Sequence, residues 1–401
     1  MLQYLAATQA QETDDARDAE PGKIIHEARR GEMAALNEIP FGAYYGTADA
    51  TPLFIVLAGQ YHARSADREF TESIWPAVVR ALDWIDLYGD ADHDGFVEYL
   101  RRSENGLRNQ GWKDSEDAIF HADGSLAEGA IALCEVQGYV YQAKLEAAKL
   151  AAALGKDDLA ADLDQQAQEL KKRFDQVFWI EELGCYAQAI DGSKQRCSVR
   201  TSNAGHALFS GIAAPARARL LARRLLDAEF FSGWGVRTVS TAAPRYNPIG
   251  YHNGTVWPHD NAMLALGLSR YGFVDGAARI TGGMFEAALH LELQRLPELF
   301  CGFEREPDIG PTFYPVACSP QAWAAGAVFM LLQACLGLSI DAVADRVEFR
   351  RPRLPAFVPQ LRIERLRVGA SALDITCRQY QGDVAINVDK RSGDTTVAIF
   401  K

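Results

Sequence analysis

The stretch DATPLFIVLAGQYHA, residues 49–63, opens the clearest structural pattern in the sequence and decides the fold class. Asp49 can cap a helix there, and Pro52 stands in the first turn, where a residue without an amide hydrogen is tolerated. Residues 67–88 follow directly, and their apolar side chains recur every three to four positions, the period of an amphipathic helix. The two segments therefore predict a pair of consecutive helices.

Such helix pairs recur along most of the chain, and connections of unequal length separate them. Further helices are predicted at residues 125–154, 157–179, 201–212, 214–229, 255–271, 274–293 and 319–337. The long connections are rich in Gly, Trp, Tyr, His and Asp, and they lie at residues 89–124, 180–200, 230–253 and 294–318. Long loops on a helical scaffold are where functional residues concentrate. The pattern predicts an all-α fold, an (α/α)6 toroid of helical hairpins with its active-site loops at one mouth.

The two ends of the chain differ from this pattern. The first ten residues, MLQYLAATQA, read as the last turns of an apolar helix, and besides this stub we count nine full helices where six hairpins need twelve. We therefore expect a barrel domain over residues 1–345 that lacks its first hairpin. From about residue 346 apolar and polar residues alternate between turn signals, which predicts a small antiparallel β extension over residues 346–401.

Composition excludes several classes of partner. The chain has 401 residues and a formal net charge of −12, so neither nucleic acid nor an anionic membrane is an expected partner, whereas a neutral sugar is compatible. The seven cysteines are odd in number and never spaced as CxxC, which is typical of reduced thiols in a cytoplasmic protein. The sequence also shows neither a signal peptide nor an apolar run of membrane-spanning length.

A first candidate for chemistry is the octapeptide QGWKDSED, residues 110–117, in the long loop before residue 125. A carboxyl group held against an indole loses solvent, its pKa rises, and it can then act as a general acid near neutral pH. Asp114, two residues after Trp112 and next to Lys113, is the candidate acid. The alternative is that the acidic residues of this stretch form the negatively charged first turn of a helix, which applies best to Glu116 and Asp117.

A second carboxylate stands in QRLPELFCGFER, residues 294–305. Pro297 fixes the backbone just before Glu298, and the following loop is rich in aromatic residues. A carboxylate in such surroundings is costly to bury unless it has a role or a partner. Glu298 is therefore the candidate general base, and the alternative is a salt bridge to Arg295 or Arg305.

The stretch YNPIGYHNGTVWPHDNAM, residues 246–263, runs into a predicted helix and combines aromatic and polar residues. It suits a sugar-binding loop, in which aromatic rings stack on the sugar and polar groups bond its hydroxyls. The candidate substrate-binding residues are Trp112, Lys113, Tyr251, His252, Asn253, Trp257, His259, Asp260 and Trp323.

Two metal sites are possible alternatives, but neither has a recognised spacing. A site formed by His252, His259 and Asp260 matches no established zinc pattern. The acidic turn DADHDGFVEY, residues 90–99, lacks the late glutamate of an EF-hand loop, so we interpret it as a turn. Nucleophile elbows and phosphate-binding glycine loops are absent as well. What is left is two carboxylates among aromatic residues, the equipment of glycoside hydrolysis, with no metal or cofactor implied.

Several stretches resemble the bacterial amylo-α-1,6-glucosidase family, the relatives of glycogen debranching enzyme. They follow in order within residues 20 to about 340, and they read HEARRGEMAALNEIPFGAYYGTADATPLF, NQGWKDSEDAIFHADG, YHNGTVWPHDNA, RLPELFCGF and YPVACSPQAWAAGA. The resemblance implies an (α/α)6 barrel and an inverting α-glucosidase, in which a Trp-x-Asp motif supplies the acid and a Leu-Pro-Glu-Leu motif the base. These motifs match Asp114 and Glu298. The family's N-terminal β domain and its first hairpin, with an Arg-Asp-Gly loop, have no counterpart in this sequence.

The sequence thus predicts an inverting glycoside hydrolase that acts on α-glucosidic linkages of an α-glucan or oligosaccharide. A sugar epimerase or isomerase on the same toroid is a second hypothesis, with His252 and His259 as the essential groups. A truncated remnant that binds sugar without catalysis is a third. The sequence does not define the linkage, the substrate length, the oligomeric state or whether this chain alone is active.

Overall fold

A computed structural model describes all residues from Met1 to Lys401, and the chain divides into two compact units. The first consists of Met1–His62 and Asp67–Val199, and the second of Ala63–Ala66 and Arg200–Lys401. Helices are the most abundant regular elements of both units, as the apolar periodicity predicts. None of the helices has the length and apolar character needed to cross a membrane.

Six helices and four short strands precede residue 200. The helices are α1 Leu2–Ala7, α2 Glu32–Ala35, α3 Ala50–Ser65, α4 Arg68–Leu87, α5 Cys134–Ala153 and α6 Asp157–Val177. The strands are β1 Ala132–Leu133, β2 Trp179–Ile180, β3 Cys185–Tyr186 and β4 Ala189–Ile190, paired antiparallel as β1 with β4 and β2 with β3. The Asp67 side chain caps α4 by accepting a hydrogen bond from the Phe70 amide at 3.0 Å. Helix α5 packs against both α4 and α6.

The helix predicted at 125–154 begins nine residues later than expected, at Cys134. Gly129 adopts a φ of +77°, and a Cβ there would approach Gly192 Cα to 2.9 Å. A residue with that conformation cannot continue a right-handed helix. The segment before α5 therefore remains extended and pairs with the chain near residue 190.

The second unit contains the remaining helices, grouped around α9. They are α7 His206–Ser210, α8 Pro215–Leu225, α9 Pro258–Arg270, α10 Val274–Ala288 and α11 Ala322–Leu336. Helix α9 contacts α7, α10 and α11. The helices predicted at 201–212, 214–229 and 274–293 exist but are shorter. Gly211, in the left-handed region at φ +86°, ends α7, and Leu293 has a non-helical φ of +54° beyond α10.

The C-terminal part consists of two three-stranded sheets. Its strands are β5 Leu338–Asp341, β6 Arg346–Arg350, β7 Gln360–Val368, β8 Ser371–Tyr380, β9 Asp383–Ser392 and β10 Thr396–Phe400. Their orders are β10-β6-β5 and β7-β8-β9, and buried Phe349, Leu373 and Ile375 belong to one shared apolar cluster. The prediction of a purely antiparallel extension is wrong, because β10 pairs with β6 in parallel. The first strand also begins at Leu338, before the predicted boundary.

All seven cysteines are free, and only Cys318 is exposed. The missing first hairpin, and with it the incomplete ring, stays a prediction.

Candidate active site

Asp114 lies in the irregular segment between α4 and α5, not in a helix. Burial raises the pKa of its carboxyl group, because the charged form loses solvent. The neighbouring His26 lowers this pKa in part, whereas Asp49 and Glu27 raise it further. Burial also raises the pKa of Asp49, whose carboxylate accepts a hydrogen bond from the Thr47 hydroxyl. The environment of Asp114 therefore favours the protonated form that a general acid needs.

The neighbours of Asp114 occupy different surroundings. Trp112 is half-buried, and Lys113 is only 1% exposed, with its Nζ 5.0 Å from the centre of a Trp112 ring. Glu116 and Asp117 are exposed in a turn. The alternative that these acids begin a helix is wrong, since α5 begins only at Cys134.

The buried carboxylate of Asp18 holds the segment that leads to Asp114. Its Oδ1 accepts hydrogen bonds from the amides of Arg102 at 2.7 Å and Ser103 at 3.0 Å. Its Oδ2 accepts from the Tyr44 hydroxyl at 2.8 Å and from Gln110 Nε2 at 3.1 Å. Asp18 has left-handed backbone angles, with φ 51°, a conformation that Asp and Asn tolerate better than most residues. The buried Asp18 carboxylate thus connects residues distant in sequence to the loop that carries Asp114.

Buried amide side chains complete this support. Asn109 Nδ2 donates to the Ser115 carbonyl at 2.6 Å, and Gln188 Nε2 donates to the Ala118 carbonyl at 2.7 Å. The Ala48 amide donates to the Gln110 carbonyl at 2.8 Å, which joins the loop to the start of α3. The loop carrying Asp114 is irregular, but its backbone polar groups have defined partners.

Glu298 lies in the second unit, in a loop that pairs with the segment before α9. Backbone hydrogen bonds of 2.9 and 3.0 Å join Val256 and Phe300 in both directions. The Glu298 side chain is buried at 7% exposure and makes no ion pair. The proposed salt bridge is wrong, because Arg305 pairs with Glu286 and stacks on Trp234.

Both carboxylate oxygens of Glu298 accept hydrogen bonds from neutral donors. The Tyr251 hydroxyl donates to Oε1 at 2.7 Å, and the Cys318 amide donates to Oε2 at 3.0 Å. The Glu298 amide in turn donates to the Cys318 carbonyl at 2.9 Å. The charge of Glu298 is the main cause of a raised pKa at the exposed Cys318 thiol. Donors of this kind stabilise a carboxylate without neutralising it.

The predicted sugar-binding loop gathers its rings beside Glu298. The Tyr251 ring lies 4.9 Å from Trp257, edge to face, and 5.5 Å from Tyr314. His252 stacks on Trp257 at 4.9 Å. Trp257 is only 1% exposed, and His252 and Asn253 are also buried. These three side chains therefore shape the loop from within, whereas Tyr251 is half-buried and retains access to solvent.

The other candidates of this loop have separate partners. His259 stacks on Trp323 at 4.0 Å with the rings nearly parallel, and Trp323 is 39% exposed. Asp260 is completely buried, with its Oδ1 2.6 Å from His206 Nε2. Asp260 is thus an interior residue, and its role in binding a sugar stays a prediction. The metal-site alternative is wrong, since His252, His259 and Asp260 do not converge on one point.

The acidic turn at residues 90–98 is an ion-pair network. Carboxylate oxygens of Asp90, Asp92 and Asp94 lie within 4.8 Å of one another. The Lys194 ammonium pairs with Asp92, with Asp94 at 2.6 Å and with Glu98 at 3.5 Å. Burial by itself lowers the pKa of Lys194, but these pairs together raise it above its usual range. The turn therefore receives its positive charge from a side chain, in line with its interpretation as a structural turn.

Sequence reasoning misses several residues around the two carboxyl groups. His26 and Asp49 act on Asp114, and Cys318 and Tyr314 belong to the surroundings of Glu298. Asp49 is visible in the sequence only as a possible helix cap. His26, Tyr314 and Cys318 lie in stretches that resemble the family, but no local pattern places them beside the two carboxyl groups, because that depends on contacts between distant parts of the chain.

The structure thus forms two groups from the predicted residues. Asp114, Trp112 and Lys113 lie in one loop of the first unit. In the second unit Glu298 accepts a hydrogen bond from Tyr251, which begins a connected series of aromatic ring contacts. The other rings of this series are His252, Trp257, His259 and Trp323.

Several glycosidases of known structure have the same fold. The GH63 mannosylglycerate hydrolase from Thermus thermophilus, in complex with Tris, aligns over 82% of this chain and 86% of its own, with a TM-score of 0.57 and 18% identity. A GH78 rhamnosidase of Bacillus sp. GL1 aligns over 90% of this chain and 33% of its own, with a TM-score of 0.60 and 16% identity. A sialidase gives a TM-score of 0.62 at 14% identity, over 87% of this chain and 32% of its own. These GH63 and GH78 relatives are (α/α)6-barrel glycosidases, so a helix-rich glycosidase fold of this type is confirmed, with a C-terminal β part beside it.

A family model matches the sequence itself over residues 46–301, which include both candidate carboxyl groups. It describes the mannosylglycerate hydrolase MGH1-like glycoside hydrolase domain. No curated protein matches the chain significantly. The match covers more than half of the chain and confirms a glycoside hydrolase, although the family is not the amylo-α-1,6-glucosidase family that the motifs resemble. The chain belongs to the family of MGH1-like glycoside hydrolase domains.

Proposed function

We propose that this glycoside hydrolase cleaves an α-glucosidic linkage with inversion of configuration, with Asp114 as general acid and Glu298 as general base. In this mechanism the Asp114 proton passes to the glycosidic oxygen as the bond to the anomeric carbon breaks. Glu298 takes a proton from a water molecule, whose oxygen bonds to the anomeric carbon from the opposite face. An inverting enzyme needs its two carboxyl groups about 6.5–9.5 Å apart to leave room for that water.

The contrast between the two carboxyl environments carries this proposal. Burial and the neighbouring carboxylates raise the pKa of Asp114, as suits a proton donor. Glu298 accepts two hydrogen bonds from neutral donors and has no basic partner, as suits a carboxylate that must remain available. Acid and base roles in glycosidases follow from such opposed surroundings.

The substrate is the finer part of the proposal. The Trp-x-Asp and Leu-Pro-Glu-Leu motifs favour a glucosyl residue in an α-linked oligosaccharide. One relative of the same fold is a mannosylglycerate hydrolase that was also solved in complex with glucose and with D-glycerate. Mannosylglycerate is therefore the second candidate substrate, supported by the family match.

The test is a direct observation of the products. Purified protein is incubated with maltotriose, isomaltose, panose and mannosylglycerate, and the anomeric signals of the released sugar are followed by proton NMR before mutarotation. Early release of β-glucose from an α-glucoside supports the proposal. Early α-glucose contradicts inversion, and hydrolysis of mannosylglycerate alone replaces the substrate assignment while leaving the mechanism intact.

The isomerase hypothesis loses its support in the structure and the family match. Its essential groups would be His252, which is buried and stacked on Trp257, and His259, which is stacked on Trp323. The family model describes a hydrolase domain. The protein can be incubated with glucose, mannose and their disaccharides to test this. Formation of an epimerised sugar without any hydrolysis product would restore the isomerase hypothesis.

A further inference from the structure

The sequence predicts Tyr251 as a stacking platform for a sugar ring, yet its most specific contact is made by its hydroxyl group. The phenol donates to Glu298 Oε1 at 2.7 Å, a short bond to a side chain that is 7% exposed. Hydrogen bonds to a charged acceptor are about twice as strong as those between neutral groups. The carboxylate also accepts from the Cys318 amide at 3.0 Å, which no side-chain substitution removes, and from the Cys318 thiol.

Two further hydrogen bonds fix the backbone of Tyr251. Its carbonyl accepts from the Thr255 hydroxyl at 2.6 Å and from the Trp257 indole at 3.0 Å. The same indole nitrogen lies 3.0 Å from the Thr255 hydroxyl, so Trp257 and Thr255 form one buried unit behind Tyr251. The ring is further packed against His252 at 4.6 Å. The hydroxyl of Tyr251 is therefore aimed by its loop and not free to rotate away.

We infer that Tyr251 is a positioning residue for the general base, and that Trp257 acts through Tyr251 instead of stacking on the sugar. The inference rests on the proposed role of Glu298. A hydrogen-bond donor at Oε1 holds the carboxylate in one rotamer and favours its ionised form, while each carboxylate oxygen keeps a second lone pair for the attacking water. Tyr251 thus orients the Glu298 carboxylate and stabilises its negative charge.

The variant Tyr251→Phe separates this role from that of a platform, because it removes the hydroxyl and keeps the ring. As a positioning residue, Tyr251→Phe should lower kcat by about 10- to 100-fold, the value of a hydrogen bond to a charged group, with little change in KM. The acidic limb of the kcat/KM pH profile should move to higher pH, because the ionised carboxylate loses a donor. If Tyr251 is only a stacking platform, the variant should match the wild type in kcat, in KM and in the position of the acidic limb.

The matched control is Tyr271→Phe, which also removes a hydroxyl hydrogen bond of a half-buried tyrosine in the second unit. Tyr271 donates to the Ala213 carbonyl at 2.6 Å, at the end of α9, and we expect its kcat and pH profile to be unchanged. In both variants Cys318, the other titratable group against Glu298, is retained, so a shifted limb cannot come from its loss.

An independent measurement keeps the inference open to refutation if activity is low. Carboxyl ¹³C NMR, with the Glu298 signal assigned from Glu298→Gln, should show the carboxyl titrating at higher pH in Tyr251→Phe than in the wild type. An unchanged titration overturns the inference. Full activity of Glu298→Gln is a different result, because it overturns the proposed function and leaves the hydrogen bond in place.

Discussion

The two candidate carboxyl groups are held by different physical means. On the acid side, charged and amide groups in the interior fix an irregular loop, with Asp18 accepting four hydrogen bonds and Asn109 and Gln188 bonding the loop backbone. On the base side, backbone pairing between Val256 and Phe300 and a group of aromatic rings do the same work.

This difference suits the chemistry expected of each group. A proton donor gains from surroundings that penalise its charge, and the segment around Asp114 supplies burial and nearby carboxylates. A base needs a carboxylate held in place, and at Glu298 the Tyr251 hydroxyl and the Cys318 amide each donate to one carboxylate oxygen. The role expected of a carboxyl group therefore depends on the donors and acceptors that the scaffold places around it.

The largest expected effect is a split between substrates of different leaving-group quality. Asp114→Asn should lose about 10²–10⁴-fold on an α-linked oligosaccharide and far less on α-glucosyl fluoride, because fluoride departs without a proton. Glu298→Gln should lose activity on both substrates, since water needs activation in either case. Steady-state kinetics of the two variants on the two substrates measure this.

Glu304→Gln is the control for that experiment. Glu304 is an exposed carboxylate six residues from Glu298, and its loss should change neither rate. Equal losses by Asp114→Asn on both substrates would contradict the assignment of the acid. A near-normal Glu298→Gln together with an inactive Glu304→Gln would move the base to Glu304.

The sequence predicts most helices and the two candidate carboxyl groups. It does not predict the side chains that hold these carboxyl groups in place. Helical periodicity predicts α3, α4, α6, α9 and α11 to within a few residues, since each side chain's burial repeats locally. The motifs also single out Asp114 and Glu298. The anchor at Asp18 joins residues more than 80 positions apart, and no local period reports such a contact.

Other differences have equally specific causes. Asp260 is predicted as a partner for sugar hydroxyls, and His206 offers a partner that makes its complete burial possible. Trp257 is expected as a platform, but its indole is used to fix the Tyr251 carbonyl. In each instance the tertiary partner, invisible in the local sequence, decides whether a polar or aromatic residue lies inside or outside.

The next effect in size concerns the acid side and tests whether Asp18 is its anchor. Asp18→Ala leaves the Tyr44 hydroxyl, Gln110 and two amides without their acceptor, so we expect the free energy of unfolding to fall by about 3 kcal/mol. Asp18→Asn, which tolerates the same left-handed backbone, should lose less. Urea denaturation of both variants gives the values.

Asp15→Ala is the comparison for that measurement. The Asp15 side chain is 69% exposed, so its loss should change stability by no more than about 0.5 kcal/mol. If Asp18→Ala were equally mild, the buried hydrogen bonds of Asp18 would not hold the acid loop.

A smaller effect is expected for the exposed ring on the base side. Trp323 is the most exposed of the candidate platforms. Trp323→Ala should raise KM by about fivefold to tenfold with kcat nearly unchanged, as for an interaction made equally in the ground and transition states. Phe329→Ala serves as control, because Phe329 is an exposed ring on the same helix. A fall in kcat instead of a rise in KM would show that Trp323 acts through His259.

The smallest expected effect is a gain in stability when the acid is removed. Burial raises the pKa of Asp114 above its ordinary value of 3.8, so between 3.8 and the raised pKa the folded state binds more protons than the unfolded state. The contribution of Asp114 to stability therefore falls as pH rises through that window, and the ionised group remains a cost at neutral pH. Asp114→Asn lacks this cost, and near pH 7 we expect it to be more stable by about 0.5–1 kcal/mol, the lower end for single stabilising substitutions. Below pH 3.8 the gain should vanish, because the wild-type carboxyl is then protonated in both states.

Urea unfolding of wild type, Asp114→Asn and the exposed-loop control Glu116→Gln across the acidic to neutral range tests this. A gain that is independent of pH, or one shared by Glu116→Gln, would mean that the buried charge of Asp114 is not its source.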